Sequence, residues 1–597
     1  MRCYLCLAIV ALYFAGCTEK EKKEKTAPVD YQTTCNPVDL SYRFQLELPS
    51  FREAADPSVV NFKGGYYMIL SRSGGYFYSP DLIKWDLIAP QSDFPFEHYA
   101  PTAVAIGDAL YFVTSGYGKM LKSHYPQSGN WEVVESKSRF DYADPALFLD
   151  DDGRLYYFGG CSPDNWLYGA EIDTKTFEII GKTVPILISH REKYGWEVQG
   201  DYNLKTETPP WIEGSWVNKY KGKYYFQYAG PGTEFKSYND GVYVADSPLG
   251  PYTLAEHNPF ACRPEGYLPG VGHGSTFTDR YGNYWHIGTA NVSMRHSFER
   301  RLALSPVFFD ADGEMYAWTA FGDYPMIVPN RKLSSPEEFF PEWMLLSYNK
   351  KVSVSSTLKK TAEQEAKMAK WWNKPSNFEP INAVDEEIRT WWSAETGNKG
   401  EWFSVDLGEP CTVYALQINF ADYDSDLLGA RSGRTGNLYY QYTVEESSDG
   451  QNWKILIDKS QNTVKDAPHE YVQLNQPLAT RYLRINNIRV PSGKFSLSDF
   501  RVFGKSSKAA PQQVTTGVAT RGSDRRQVKL VWDKIPDATG YNIRFGTREG
   551  KLYQNYMVYN KNELQINILN TEKQYFFAID AFNESGITKG KTFAADK

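Results

Sequence analysis

Three acidic residues open three copies of one recurring sequence pattern. Asp56, Asp144 and Glu213 each start a short apolar run, which is followed by a Gly-containing turn and an aromatic run. Two carboxyl groups that face one substrate can hydrolyse a glycosidic bond, because one activates water and the other protonates the leaving oxygen. Asp before Pro, as at positions 56 and 144, is also a common turn starter, so each acid alone would indicate only a turn. Three acids in the same place of a repeat favour the catalytic interpretation.

The pattern occurs five times, and each copy predicts a β-hairpin with a Gly turn. Two copies lack the acid and begin with Ala100-Pro101 and His273-Gly274. Further strand patterns follow the hairpins, as in 78–85 and 245–252, so each unit holds about four strands, the number that a propeller blade needs. The chain is therefore predicted to be all-β, with a five-bladed β-propeller whose opening strands bring the three acids to one axis.

These motifs in combination resemble glycoside hydrolase family 43, the five-bladed propeller enzymes, over about residues 45–330. The resemblance rests on Asp-Pro in blades one and three, Glu-Gly with Trp in blade four, and Gly-His-Gly in blade five. It implies that Asp56 is the general base, Glu213 the general acid, and Asp144 the acid that orients and tunes its partner. His273 matches a histidine near the propeller axis that often lies beside a bound ion. The resemblance implies no required cofactor, with a structural Ca²⁺ near the axis, held by His273 through water, as the candidate ion.

Inverting hydrolysis sets two physical requirements on these acids. The two carboxyl groups stand roughly 6.5–9.5 Å apart, so that a water molecule fits between the base and the sugar. Glu213 must carry a proton near neutral pH, and a neighbouring Asp144 carboxylate would favour that protonated form by like-charge repulsion.

Aromatic and basic residues near the repeat boundaries are candidates for contact with a sugar. Any of them could instead serve packing, and the two arginines could form a surface or structural pair. An inserted loop between blades three and four, residues 186–210, contains Trp196 and Glu197 and is expected to close one side of the pocket. The substrate-binding candidates are Tyr99, Trp166, Trp211, Arg295, Arg301 and His273.

The N-terminal residues form a targeting segment. Residues 5–15 are apolar but too short to span a bilayer, and Phe14-Ala15-Gly16-Cys17 resembles a bacterial lipobox, in which Cys17 would be lipidated. An ordinary signal peptide is the alternative. We expect a signal peptide at 1–17, a charged tether at 18–44, and an extracytoplasmic lipoprotein of the cell envelope, like the surface lipoproteins of Bacteroidetes, held to the membrane by its lipid.

Composition limits the class of partner. The net charge is −7, and the chain has 43 Tyr, 33 Phe and 16 Trp. An acidic chain gives no indication of nucleic-acid binding, whereas abundant aromatic rings suit sugars. The seven cysteines show no metal-ligand spacing.

The second half predicts two further β units. Residues 350–505 resemble a discoidin (coagulation factor 5/8 type C) domain, through Thr390-Trp391-Trp392-Ser393 and the segments 401–408 and 481–485. Such jelly-roll modules often bind sugars, and Trp371-Trp372 could form a stacking platform. Residues 510–597 resemble a fibronectin type III domain, in which Trp532 is a core residue and 575–579 is the tyrosine-corner strand. This unit is expected to be a spacer.

The sequence thus predicts a catalytic propeller at 45–335 that acts on plant polysaccharide or oligosaccharide. An Asp base accompanies α-L-arabinofuranosidase and β-D-xylosidase activity in the family that the chain resembles. We expect an inverting exo-acting α-L-arabinofuranosidase, with β-D-xylosidase and endo-arabinanase as alternatives. A non-catalytic polysaccharide-binding surface lipoprotein is the alternative from a different class.

Overall fold

The computed structural model describes residues 29–44, 52–136, 143–163, 165–292, 299–362, 377–425, 438–463 and 466–596. These residues are built from β-strands with four short 3-10 helices, which confirms the predicted all-β class. Within the described ranges, no helix combines the length and the apolar character that crossing a membrane requires.

Three short strands precede the propeller, and the first of them pairs with a strand that follows the last blade. These strands are β1 (Thr33–Thr34), β2 (Arg43–Phe44) and β3 (Arg52–Glu53). The first two blades are β4 (Ala55–Phe62), β5 (Gly65–Ser71), β6 (Tyr76–Ser79) and β7 (Asp86–Ile88), then β8 (Thr102–Ile106), β9 (Ala109–Val113), β10 (Leu121–Ser123) and β11 (Glu132–Val133), with a 3-10 helix at Pro126–Ser128.

The remaining three blades have the same four-stranded form. They are β12 (Ala146–Leu149), β13 (Leu155–Gly159), β14 (Leu167–Ile172) and β15 (Ile179–Leu187); β16 (Glu213–Tyr220), β17 (Lys223–Gly230), β18 (Asn239–Ala245) and β19 (Thr253–Leu254); and β20 (Gly272–Thr278), β21 (Tyr284–Asn291), β22 (Arg300–Phe309) and β23 (Met315–Ala317). A 3-10 helix lies at Gly195–Glu197. Each blade is a four-stranded antiparallel sheet in sequence order, so the five predicted hairpins are the inner halves of five blades. Strand β24 (Met326–Ile327) pairs with β1.

Side chains of one blade bind backbone amides of the next and so join the blades into a ring. Ser71 Oγ accepts the Ala100 amide at 2.7 Å, and Ser115 Oγ accepts the Asp144 amide at 2.8 Å. Thr289 of the last blade accepts the Asp56 amide of the first at 2.8 Å, which closes the ring. Because these donors would otherwise be buried without partners, the hydroxyls fix where each opening strand begins.

The second unit is a β-sandwich with one continuous core. Its elements are a 3-10 helix at Pro336–Phe339, β25 (Met344–Leu345), β26 (Lys351–Val354), a 3-10 helix at Pro380–Ala383, β27 (Trp392–Ser393), β28 (Trp402–Phe420), β29 (Gln441–Ser447), β30 (Lys454–Asp458), β31 (His469–Arg489) and β32 (Ser496–Lys505). Burial alternates at the start of β28, as the sequence predicts. Trp392, Phe403 and Phe500 are fully buried in its centre.

The third unit consists of two antiparallel sheets. The first has β33 (Gly517–Arg521), β34 (Val528–Trp532) and β37 (Glu563–Ile566), and the second has β35 (Gly540–Gly546), β36 (Gln554–Tyr559), β38 (Phe576–Asn583), β39 (Gly586–Thr588) and β40 (Thr592–Ala594). Trp532 is buried in the core, and the Tyr575 hydroxyl accepts the Asn570 amide at 3.0 Å. The resemblance to fibronectin type III stays a prediction.

The segment 186–210 connects the propeller to the third unit. Trp196 is 1% exposed and belongs to the same apolar core as Trp532, and the Gly195 amide donates to the Leu569 carbonyl at 3.0 Å. Glu197 is buried and accepts hydrogen bonds from Ser189 and Tyr228. Within the segment that was expected to close one side of the pocket, Trp196 instead packs in the core of the third unit, and Glu197 is bonded to Ser189 and to Tyr228 of blade four.

Candidate active site

Each blade opens with a residue in the left-handed backbone region. The φ angles are 52° at Asp56, 46° at Ala100, 50° at Asp144, 64° at Gly214 and 46° at His273. At three of these places the strand register slips by one residue, which is a β-bulge. Left-handed backbone in a non-Gly residue is costly and persists where the surrounding structure enforces it, often at functional sites.

The acid of blade four stands one residue earlier than the acids of blades one and three. Glu213 pairs with Ala229 as Ala55 pairs with Ser71, so Glu213 is equivalent to Ala55 and not to Asp56. Gly214 occupies the left-handed position instead. The prediction that all three acids share one repeat position is therefore corrected: a Cβ at position 214 would lie 2.8 Å from the His273 ring, so only glycine fits there.

Asp56 is a buried carboxylate held in its charged form. Arg300 Nη1 lies 3.2 Å from Asp56 Oδ1, His273 Nδ1 lies 3.5 Å from the same oxygen, and the Ser71 hydroxyl donates to Oδ2 at 2.5 Å. Burial alone would raise the pKa of Asp56, but Arg300, His273 and Ser71 together outweigh it and lower the pKa below its ordinary value. A charged carboxylate is what a general base requires.

Asp144 and Glu213 form a close pair. Their carboxylate oxygens and a His273 ring nitrogen all lie within 4.8 Å of one another. The pKa of Asp144 is raised to about 7, chiefly by burial and also by Glu213 and Asp56, with His273 acting in the opposite direction. Two buried carboxyl groups this close do not both ionise readily, so the pair holds one proton up to near-neutral pH.

Glu213 accepts one hydrogen bond on each oxygen. The Tyr238 hydroxyl donates to Oε1 at 2.5 Å, and the Cys161 thiol donates to Oε2 at 3.0 Å. Tyr238 is fully buried, whereas Cys161 is partly exposed. The carboxyl group is therefore fixed in one orientation by two side chains that the repeat pattern did not single out.

His273 stands between the base and the acid pair. Its Nδ1 lies 3.5 Å from Asp56 Oδ1 and 3.7 Å from Asp144 Oδ2, and its backbone amide donates to Asp240 Oδ1 at 2.8 Å. Burial would lower the pKa of His273, but Asp56, Asp144 and Glu213 raise it above the ordinary value. A positively charged imidazole here stabilises the Asp56 carboxylate.

A Ca²⁺ ion near His273 stays a prediction. Calcium takes six to eight oxygen ligands, whereas the Asp56 and Asp144 carboxylates beside the His273 ring already accept hydrogen bonds from Ser71 and Ser115. The described side chains do not form a direct calcium cage, so such an ion would depend on water for most of its ligands.

The arginine in the site is Arg300, and not the predicted Arg301. Successive side chains of β22 point to opposite faces, so Arg300 faces Asp56 while Arg301 points away. Arg300 Nη2 also lies 2.5 Å from Glu53 Oε1. Arg301 Nε donates to His469 Nε2 of the second unit at 2.8 Å. Burial raises the pKa of Glu53 to about 7 despite the neighbouring Arg300. Strand alternation was the signal that could have separated the two arginines.

The aromatic candidates differ in exposure. Tyr99 is partly buried, and its hydroxyl accepts a hydrogen bond from Arg72 Nη1 at 2.6 Å. Trp166 and Trp211 are each 40% exposed. The backbone segments that carry them are joined by an isolated β-bridge between Ser162 and Ile212. Exposed rings in this position are available to stack on a sugar. Arg295, Cys17, Trp371 and Trp372 lie outside the described residues.

Comparisons with known proteins agree with the architecture. Residues 51–315 match the family model for glycosyl hydrolases family 43, and residues 360–499 match the F5/8 type C domain. A beta-D-galactofuranosidase of Aspergillus niger is 25% identical over 308 residues, which are 44% of this chain and 81% of that protein. An arabinoxylan arabinofuranohydrolase of Paenibacillus polymyxa is 28% identical over 200 residues, which are 30% of this chain but only 29% of that protein.

A solved structure titled "Glycoside hydrolase" superimposes with a TM-score of 0.43 at 19% identity, covering 79% of this chain and all of that one. The family model spans the strands that carry Asp56, Asp144 and Glu213, and the F5/8 type C match lies within the second unit. This chain therefore carries a glycosyl hydrolase family 43 domain at 51–315 and an F5/8 type C domain at 360–499.

Proposed function

We propose that the chain is an inverting exo-glycosidase that removes α-L-arabinofuranosyl groups from plant polysaccharide or oligosaccharide. The observation that carries the proposal is the contrast between two sets of carboxyl groups around His273. Arg300 holds Asp56 in its charged form, whereas burial raises the pKa of Asp144, the close neighbour of Glu213, to about 7. Carboxyl groups whose environments drive their pKa values apart are suited to act as base and acid.

Asp56 acts as the general base. Ser71 occupies Oδ2, so Oδ1, on the side of Arg300 and His273, is the oxygen left to accept a proton from water. The positive charges keep the carboxylate available over the working pH range. A water molecule held by Asp56 then attacks the anomeric carbon from the face opposite the leaving group, which inverts the configuration.

Glu213 acts as the general acid. Tyr238 and Cys161 hold its carboxyl group in place by hydrogen bonds. The carboxyl group of Asp144 lies within 4.8 Å of that of Glu213, close enough to share a proton with it. As the glycosidic bond breaks, the proton of the pair passes through Glu213 to the leaving oxygen. Asp144 therefore tunes the acid and contacts no reacting bond.

The burial of the acids supports exo action. Asp56, Asp144 and Glu213 are only 5%, 8% and 9% exposed, whereas Trp166 and Trp211 are each 40% exposed. A recessed site accepts the end of a chain or a side branch more readily than the middle of a polymer. Asp as the base supports the arabinofuranoside and β-D-xyloside classes, and xylosidase is the alternative.

The named activities of the relatives define a second furanoside candidate. The A. niger relative is named as a beta-D-galactofuranosidase, and β-D-galactofuranose shares the ring configuration of α-L-arabinofuranose but has a longer exocyclic chain. A panel of nitrophenyl α-L-arabinofuranoside, β-D-xylopyranoside and β-D-galactofuranoside distinguishes the three. Fastest turnover on the arabinofuranoside supports the proposal, and fastest turnover on either of the others replaces its substrate.

The stereochemistry is tested by NMR of the first product formed. We expect the anomer opposite to that of the substrate, and a product of retained configuration would contradict the proposal. Asp56→Ala is the matched variant: it should lower turnover by at least ~10²-fold, the scale of general base catalysis. Circular dichroism should show that the variant remains folded.

The location of the enzyme is also a proposal. Phe14-Ala15-Gly16-Cys17 and the charged residues that follow support a lipid anchor in the cell envelope. The 510–597 unit packs on the propeller and serves as a structural support, while sugar binding by the F5/8 type C domain rests on Trp371 and Trp372.

A further inference from the structure

Two buried arginines join the F5/8 type C domain to strands that lie beside Asp56. Arg52 on β3 donates from Nε to Asp422 Oδ2 at 3.0 Å, and Arg301 on β22 donates from Nε to His469 Nε2 at 2.8 Å. All four of these side chains are buried. Because Asp422 and His469 belong to the second unit, that domain holds both strands in place.

The neighbouring residue on each strand faces the candidate active site. Side chains alternate along a strand, so Glu53 lies on the opposite side from Arg52, and Arg300 on the opposite side from Arg301. Arg300 donates to Glu53 Oε1 from Nε at 2.8 Å and from Nη2 at 2.5 Å, and its Nη1 lies 3.2 Å from Asp56 Oδ1. Each strand therefore carries one residue that binds the second unit and one that sets the charge beside Asp56.

Arg301 also links the backbones of the two strands. Its Nη1 donates to the Arg52 carbonyl at 3.2 Å and to the Arg300 carbonyl at 2.9 Å. The His469 ring that holds Arg301 is neutral, because burial and the two neighbouring arginines lower the pKa of His469 well below its ordinary value. Nδ1 of this ring donates to Asn419 Oδ1 at 2.9 Å, so Nε2 is the nitrogen that accepts from Arg301.

We propose that His469 and Arg301 are positioning residues for the general base: through them, the F5/8 type C domain sets the distance between Arg300 and Asp56. This inference rests on the proposed function in taking Asp56 as the base. A group that tunes a reacting side chain must be held within about 0.5 Å of its productive place, and the residues packed behind it supply that precision.

Arg300 is the charge whose displacement Asp56 would register most. Burial raises the pKa of Asp56, and Arg300 is the strongest of the groups that lower it. Lengthening the 3.2 Å separation by ~1 Å would raise that pKa by ~0.9 unit at an effective dielectric constant of ~20. The titratable groups around Asp56 are Arg300 on β22, His273 on β20, Glu53 on β3, Asp144 at the start of blade three and Tyr238 before β18, with Arg72 after β5 acting on Glu53.

The test compares two substitutions of His469 in the full-length protein. His469→Leu removes the acceptor, whereas His469→Gln retains an acceptor oxygen near the place of Nε2. We expect the acidic limb of the kcat/KM profile on a nitrophenyl glycoside to move to higher pH by about 0.5–1 unit in His469→Leu, and to return toward the wild-type position in His469→Gln.

Gln473→Leu is the matched control. Gln473 lies on the same strand, β31, and accepts hydrogen bonds from the Thr33 amide and hydroxyl at 2.8 Å, so its loss weakens the same interface without touching the two arginines. The acidic limb should stay in place in this variant. A control that shifts as far as His469→Leu would show that general loosening of the interface moves the limb, and would overturn the inference.

Crystal structures of the same variants provide a readout that requires no activity. Arg300 Nη1 should lie farther from Asp56 Oδ1 in His469→Leu than in the wild type. If His469→Leu does not fold, Arg301→Lys, which keeps the charge but loses the guanidinium fork, carries the same two expectations. An unmoved limb, or an Arg300 in its wild-type place, overturns the inference. A wild type that is inactive on all three nitrophenyl glycosides would refute the proposed function, and the position of Arg300 would then decide this inference alone.

Discussion

Replacing Asp144 by Asn removes one charge from the acid pair while preserving the size of the side chain. In the wild-type protein the pair loses its last proton near pH 7, the value to which burial and Glu213 raise the pKa of Asp144. Without a second carboxyl group, the remaining proton is no longer retained by like-charge repulsion. The alkaline limb of the kcat/KM profile should therefore move to lower pH.

The size of the shift follows from the separation of the two carboxyl groups. Charges at most 4.8 Å apart repel by at least ~3.5 kcal/mol at an effective dielectric constant of ~20, which corresponds to ~2.5 pH units or more. The positive charge of His273, 3.7 Å from Asp144, offsets part of this repulsion. We expect a net downward shift of about 1–2 pH units.

The assay is the pH dependence of kcat/KM on a nitrophenyl glycoside. The acidic limb, which depends on Asp56, should move much less than the alkaline limb. Asp246→Asn is the matched control, since Asp246 is highly exposed and pairs only with Lys223 among the described contacts. An alkaline limb that stays in place or moves upward in Asp144→Asn would refute the shared-proton reasoning.

Three further predictions address other parts of the chain. Arg300→Met should move the acidic limb of the kcat/KM profile to higher pH, because Arg300 is the main group that lowers the pKa of Asp56, and Asp56 loses its charge when the pH falls through that pKa; an unchanged limb would contradict this. Cys17→Ser, expressed with its own leader in a bacterium that lipidates proteins, should move the protein from the membrane to the soluble fraction, and a soluble wild type would argue against an anchor. Trp371→Ala with Trp372→Ala should lower turnover on polymer and leave small-substrate turnover unchanged; equal loss on both would exclude a binding platform.

The repeat predicts the fold well because every blade repeats the same hairpin. Apolar alternation and Gly turns fix the inner strands, and the Asp-Pro motifs fix the place of Asp56 and Asp144. The sequence does not show that Gly214, and not Glu213, takes the left-handed position in blade four. Without the strand pairing, Glu213-Gly214 can be aligned with Asp56-Pro57 so that the two acids are equivalent. That one-residue slip is set by strand pairing.

The residues that sequence reasoning missed share one property: they reach the site from outside the repeated motif. Tyr238 and Cys161 meet at Glu213 only because neighbouring strands of blades three and four come together. Arg301 was predicted where the structure has Arg300, because the sequence does not show which face of the strand each of the two neighbouring arginines occupies. Trp196 was expected at the pocket because an insertion in a propeller commonly lines one face, but a large ring can equally be buried by a neighbouring domain.

The packing between units has a consequence for proteolysis of this chain. Arg501 of the second unit donates from Nη1 to the backbone carbonyl of Asp323 beside the propeller, and its Nη2 lies 3.9 Å from the buried Asp323 carboxylate. Arg52 reaches from the propeller side to Asp422 at 3.0 Å, and both side chains are buried. Separating such partners would leave charges buried without a counterion, at a cost of about 3–5 kcal/mol for each broken pair. A protease that cuts an exposed loop between the units would thus produce a nicked molecule that stays assembled, and the propeller and the F5/8 type C domain would be retained or lost together.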